Sequence, residues 1–195
     1  MTTTPEPTTP SAQPTPGATP PSTGERADLV QALGRHRDLL RFAVRDLTEE
    51  QARQRTTVSE LTLGGLVKHV ADTEAQWATF MVEGSGSAPD FDWASIDWAN
   101  PPAELAAYAD SHRLRDDETL DGQLARYAEI ARHTDDLVMR LDLDTAHDLP
   151  KAPWFEPGAR WSVRRAVLHT LAETSQHAGH ADIIRESLDG QQTMA

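Results

Sequence analysis

The sequence predicts an all-α fold, a four-helix bundle. Four long stretches carry apolar residues three and four apart, the repeat of a helix with one buried face. The segments between them are broken by proline and glycine, which end helices rather than extend them. The 195 residues include no cysteine. The core must therefore hold by burial alone, and disulfides, thiolate-bound zinc and a protein thiol nucleophile are excluded.

Residues 1–24 are mostly Thr and Pro, with no large apolar residue after Met1, and read as a disordered tail. The domain is expected over 25–190, with 191–195 as a C-terminal tail. Its first helix is expected from Glu25 to Leu47, with Leu29, Leu33, His36, Leu40, Ala43 and Leu47 on one face and Arg37 beside it. His36, alone on that stripe, reads as a core histidine. Thr48-Glu49-Glu50-Gln51 then resembles a fresh N-cap with acids in its first turn.

The second long helix is expected from Leu61 to Glu83, capped by Thr62, with Leu63, Leu66, Val70, Trp77 and Met81 as its stripe. Gly64-Gly65 either permits close approach of a neighbour or marks a late helix start. His69 falls at the edge of this stripe, roughly 90–100° from its centre at ~100° per residue. A long connection follows, from Gly84 to Arg115. Phe91, Trp93, Ile96 and Trp98 within it either wall a pocket or plug a bundle end, and Ala103 to Asp110 forms a short helix behind Pro102.

The third long helix spans Thr119 to Leu141, with Leu120, Leu124, Tyr127, Ala131, Thr134, Val138 and Leu141 inward. Leu143 to Gly158 reads as a loop, barred from helix by Pro150, Pro153 and Pro157. The last helix runs from Ser162, its cap, to Leu188, with Gly190 as the stop. Val163, Ala166, Val167, Thr170, Thr174, Ala181, Ile184 and Leu188 define its inner face.

The net charge of -13 repels phosphates, so neither nucleic acid nor an anionic membrane surface is an expected partner. No apolar run is long enough to span a bilayer, and no basic start precedes an apolar segment as in a signal peptide. A cytoplasmic protein acting on a small molecule is the expectation.

The chemistry concentrates on the last helix. Glu173 and His177 stand four residues apart, so their side chains share one face. This is how one helix offers two ligands to one metal ion. His177 points closest to the centre of the buried stripe, and Glu173 lies about 40° further round. His169 and His180 fall toward the edge, as boundary residues or partners of the inner pair. A buried carboxylate needs a partner. The alternatives to a metal are a Glu173–His177 hydrogen bond, or an ion pair of Glu173 with Arg165 or Arg185. A third ligand has to come from another helix, and His69 is the candidate.

Several segments together carry a family resemblance. They are Leu47-Thr48-Glu49-Glu50-Gln51, Leu63-Gly64-Gly65-Leu66-Val67-Lys68-His69-Val70 with Glu74 and Trp77, then Trp161-Ser162, and the run from Glu173 through His177 and His180 to Glu186. In these the chain resembles the DinB-like superfamily. That superfamily includes mycothiol-dependent maleylpyruvate isomerase and the bacillithiol and mycothiol S-transferases, and the segments look most like an actinobacterial branch of mostly unassigned function.

The resemblance implies a divalent metal held by His69, Glu173 and His177, with zinc the first choice and nickel, manganese or iron as alternatives. It also implies mycothiol as cosubstrate, an S-transferase or isomerase reaction on a small electrophile through a metal-bound thiolate, and a homodimer as one assembly. Trp77 and Arg185 are the expected cofactor-binding residues, with Phe80, Trp154 and Trp161 near them by position. A hydrolase using metal-bound hydroxide, and a non-catalytic ligand-binding or dimeric structural bundle, remain the competing readings.

Overall fold

Three of the four long helices start at a hydroxyl side chain. Thr62 accepts from the backbone N–H of Gly65, Thr119 from Gly122 and Ser162 from Arg165, each using an amide that the first helical turn leaves unpaired. The computed structural model describes residues 24–86 and 91–193, apart from the side chains of 107–109. The expected N-terminal tail therefore lies outside the described residues, except for Gly24. In chain order the elements are α1 (Glu25–Ala43), α2 (Glu49–Arg53), α3 (Leu63–Glu83), a 3₁₀ turn (Trp93–Ser95), α4 (Ala103–Asp110), α5 (Leu120–Arg140), β1 (Ala146–Asp148), β2 (Arg160–Ser162) and α6 (Val163–Asp189).

The long helices close into a four-helix bundle. Helix α1 packs on α6 and α5, and α3 packs on the same two from the other side. No helix among the described residues is long and apolar enough to cross a membrane.

Two boundaries differ from the sequence reading. Helix α1 stops at Ala43 rather than Leu47, because Asp46 takes a left-handed turn (φ 56°) and leads into the Thr48 cap of α2. There the capping box is complete, with Thr48 and Gln51 each accepting the other's backbone N–H. The buried residues of α1 are Leu33, Arg37, Leu40 and Ala43, so the inward polar side chain is Arg37 and His36 is only half-buried. The second difference is in the 143–158 loop and its sequel. A two-stranded antiparallel ribbon forms there, pairing Ala146 with Ser162, His147 with Trp161 and Asp148 with Arg160. Strands of three residues are too short for alternation to show in a sequence.

The core is divided. One apolar cluster gathers Leu40, Leu63, Leu66, Val67, Val70, Tyr127, Ala181 and Ile184. The other gathers Leu33, Met81, Leu137, Val138, Val163, Ala166 and Val167. Between them on each helix sits a buried polar residue: Arg37 on α1, Glu74 on α3, Thr134 on α5, and Thr170 and Thr174 on α6. Arg37 and Glu74 neutralise each other in a two-pronged pair, at 2.6 Å and 3.1 Å, and Asp135 takes a third guanidinium hydrogen at 2.8 Å. The candidate site opens off this polar level, on the side where α3 meets α6.

Candidate metal centre

His69 comes from the second turn of α3, and Glu173 and His177 from the middle of α6. The bundle lays these two helices side by side, so three side chains far apart in sequence converge. Their donor atoms all lie within 4.8 Å of one another. His177 Nε2 is 3.6 Å from Glu173 Oε2. The edge of a tetrahedron with arms of ~2.1 Å is about 3.4 Å, so the spacing and the nitrogen/oxygen donor set fit a divalent cation. Neither Arg165 nor Arg185 forms an ion pair with Glu173, which removes one of the alternatives for this carboxylate. Among the described residues no other group of three such side chains comes as close.

Each of the three has an outer partner. His69 Nδ1 meets Ser111 Oγ at 3.1 Å, which leaves Nε2 as the ligating nitrogen. His177 Nδ1 meets His180 Nδ1 at 3.4 Å. Glu173 Oε1 is 3.7 Å from His169 Nε2. His169 and His180, the two edge histidines of the last helix, thus stand behind the inner pair. His112 stacks on the ring of His69 at 3.8 Å between centroids.

The surroundings shift His69 and Glu173 toward the protonation states that bind a metal. Burial pushes His69 from 6.5 down to about 4, with the His112 and His177 rings adding to the fall and Glu173 opposing it. His69 is therefore neutral at neutral pH, the state in which imidazole ligates. The contact with His177 holds the Glu173 carboxyl below its ordinary value, although burial opposes this. Burial also lowers His169. Deeper in the bundle, burial raises the Tyr127 hydroxyl, with the Glu74 carboxylate adding to the rise and Arg37 and Thr174 opposing.

One wall of the site is aromatic. Trp77 stacks on Trp161 at 4.9 Å, and His169 meets both edge-on, at 4.8 Å and 5.0 Å. Of the residues the sequence reading put near the cofactor, Trp77 and Trp161 thus meet His169, the neighbour of Glu173, and Phe80 contacts Trp77. Arg185 does neither. It is buried, its Nε shared between both Asp189 oxygens, while Nη1 donates to the carbonyls of Ala43 and Arg45 at 2.9 Å and 2.7 Å. Through Nη1 Arg185 ties α6 to the end of α1, and it lies buried there. Trp154 is largely exposed and packs on Trp93. The indole N–H of Trp93 donates to the Lys151 carbonyl, so the aromatics of the long connection cover the 149–158 loop rather than the triad.

Ser111 and His112 are the site residues that sequence reasoning missed. They lie in the short turn between α4 and α5, and no periodicity marks a turn residue. The signal for their position was Gly64-Gly65. A Cβ on Gly65 would fall 1.9 Å from the His112 carbonyl oxygen, and one on Gly64 would fall 2.3 Å from the Leu114 side chain. The glycines bring the start of α3 against this turn, and the turn reaches His69.

Comparison with known proteins agrees with this architecture. A crystal structure of a conserved protein from Enterococcus faecalis matches with a TM-score of 0.59 at 12% identity, covering 87% of this chain and 100% of that one. At that identity the likeness is one of fold. No curated protein matches the chain. The profile of the family described as mycothiol-S-transferase matches residues 28–190, which takes in the bundle apart from the first three residues of α1, and all three converging side chains. On that match the chain belongs to the mycothiol-S-transferase family, of the DinB-like type.

Proposed function

We propose that the protein is a divalent-metal-dependent S-transferase that joins mycothiol to a small electrophile. The observation that carries this reading is the convergence of His69, Glu173 and His177 from two helices in a family of mycothiol transferases. Three protein donors leave part of the coordination sphere open, as in catalytic rather than structural sites. With no cysteine in the chain, the thiol has to be brought in.

A divalent cation held there would supply a Lewis-acid position at which a thiol loses its proton near neutral pH. The residues do the rest. His69 would give a neutral nitrogen donor, His177 a second imidazole nitrogen, and Glu173 the one carboxylate. Ser111, His180 and His169 fix the orientation of those three side chains. Trp77 and Trp161 wall one side and limit water around the nucleophile. In the reaction a carbon–sulfur bond forms, the leaving group departs with its electron pair, and the thiol proton passes to solvent.

The test is elemental analysis followed by a conjugation assay. Purified protein should carry about one divalent metal per chain, and His177→Ala and His69→Ala should lose it. With mycothiol and 1-chloro-2,4-dinitrobenzene, the metal-loaded protein should form the S-conjugate faster than the uncatalysed mixture. Absence of both the metal and the conjugate would sink the reading.

A further inference from the structure

Along α6 the four residues Arg165, His169, Glu173 and His177 follow one another at four-residue steps, so they form one ridge on the helix surface. The lower half of this ridge supplies two of the converging donors. The upper half ends in a cation. Arg165 is exposed, and its guanidinium lies over the Trp161 ring at 4.5 Å from the centroid. Trp161 is itself backed by Trp77, so the plane on which the guanidinium rests is fixed from behind.

We infer that Arg165, held on Trp161, is a specificity-determining residue that takes a carboxylate of the electrophilic substrate. The inference rests on the transferase reading and names its substrate class: small electrophiles carrying an anionic group at the end remote from the reacting carbon.

Two observations support it. First, Arg165 makes no ion pair with any described residue, in a chain where acids outnumber Lys and Arg by 31 to 18. Its neighbour Arg164 shows the contrast, being bound to both Glu25 and Asp144. Second, the position suits a ligand that also reaches the triad. Arg165 stands two helical turns from Glu173, about 12 Å along the axis at ~1.5 Å per residue. On the same ridge between them stands His169, edge-on to Trp77 and Trp161. A benzene ring with a carboxylate para to its reacting carbon would turn the anion toward Arg165 and the reacting carbon toward the triad. Its carboxylate would find a planar fork of N–H donors already oriented by stacking.

The test pairs two electrophiles of different charge, 4-chloro-3-nitrobenzoate and 4-chloro-3-nitrobenzamide. Each kcat/KM is divided by the rate constant of the uncatalysed reaction of the same electrophile, because the amide activates the ring more than the carboxylate does. In each, mycothiol sulfur bonds to C4, chloride leaves with the C–Cl pair, and the thiol proton goes to solvent. Wild type should favour the benzoate by about tenfold in this corrected kcat/KM, the effect of one charge-assisted pair. Arg165→Gln should bring that ratio close to one, and Arg165→Lys, which keeps the charge, should retain most of it. A wild-type ratio near one, or an Arg165→Gln ratio equal to wild type, overturns the inference.

Calorimetric titration of the metal-loaded protein with 4-chloro-3-nitrobenzoate, without thiol, separates the two readings. If neither electrophile is turned over, the transferase reading fails. The subsite then stands if wild type binds the benzoate and Arg165→Gln does not, and falls if both bind equally or neither binds.

Discussion

The α-carbon of Gly65 faces the carbonyl oxygen of His112 so closely that a Cβ there would fall 1.9 Å from it. The obstacle is backbone, which cannot swing aside as a side chain can. Gly65→Ala should therefore push the α4–α5 turn away from α3, at a cost of about 1–3 kcal/mol, as for overpacking in a filled core. Urea denaturation measures the loss. Gly34→Ala, where a Cβ would meet nothing within 4 Å, is the control and should leave stability unchanged or slightly raised.

The same turn carries Ser111, whose Oγ meets His69 Nδ1 at 3.1 Å. Removing an outer partner of this kind loosens the ring it orients. Ser111→Ala should weaken divalent-metal affinity about 10–100-fold. Competition with a chromogenic chelator would show it. Equal affinity for the variant and wild type would remove Ser111 from the site.

Arg37 and Glu74 form a buried pair at the centre of the bundle, each almost wholly removed from water. Glu74→Leu leaves Arg37 with only the half-exposed Asp135 and should cost about 3–5 kcal/mol, as breaking a buried pair from one side does. The double variant Arg37→Met, Glu74→Leu should recover much of that loss, because neither charge is then stranded. Thermal and chemical denaturation of the two single variants and the double variant complete the cycle.

His69 titrates at about 4 in the folded chain and near 6.5 when unfolded, because burial, His112 and His177 disfavour its charged form. Between those values the unfolded state binds more protons, so acidification favours unfolding. Metal-free protein should keep its full stability above about pH 6.5 and lose a contribution of about 3 kcal/mol as pH falls towards 4, with no further loss from this group below it. His69→Gln should flatten that part of the stability profile. A profile unchanged by His69→Gln would show that the histidine is not held neutral.

Local chemistry in the sequence carried the bundle. Thr48, Thr62, Thr119 and Ser162 cap their helices, Ala103–Asp110 is the short helix expected behind Pro102, and Gly190 ends α6 in the left-handed conformation. These signals depend on neighbours within a few residues, which a sequence displays directly. The ribbon of β1 and β2 escaped because its pairing partners are more than ten residues apart and its strands are only three residues long.

That Glu173 and His177 share one face was likewise legible, since both ride one helix at a fixed four-residue step, but the fold leaves both half-buried and puts Thr174 and Ala178 at the buried positions beside them. His69 was less so: the wheel put it at an edge, it was a candidate only because a third ligand had to come from another helix, and the resemblance strengthened it. The bundle shows why an edge position served, because α3 turns one flank to α5 and another to α6. Arg185 had a site residue's composition and position on the last helix, yet tertiary structure buries it and engages its Nε and Nη1 with Asp189, Ala43 and Arg45. Arg165 stood in the sequence only as an alternative partner for Glu173, and the fold instead laid it on Trp161.

The sequence by itself determined the four long helices, the hydroxyl caps that start three of them and the apolar residues they bury, because capping and periodicity are short-range. Tertiary structure alone decided which helices adjoin, which arginine is tied down and which is exposed, and that Ser111 and His112 reach His69. Those outcomes depend on distances between segments that no local rule contains.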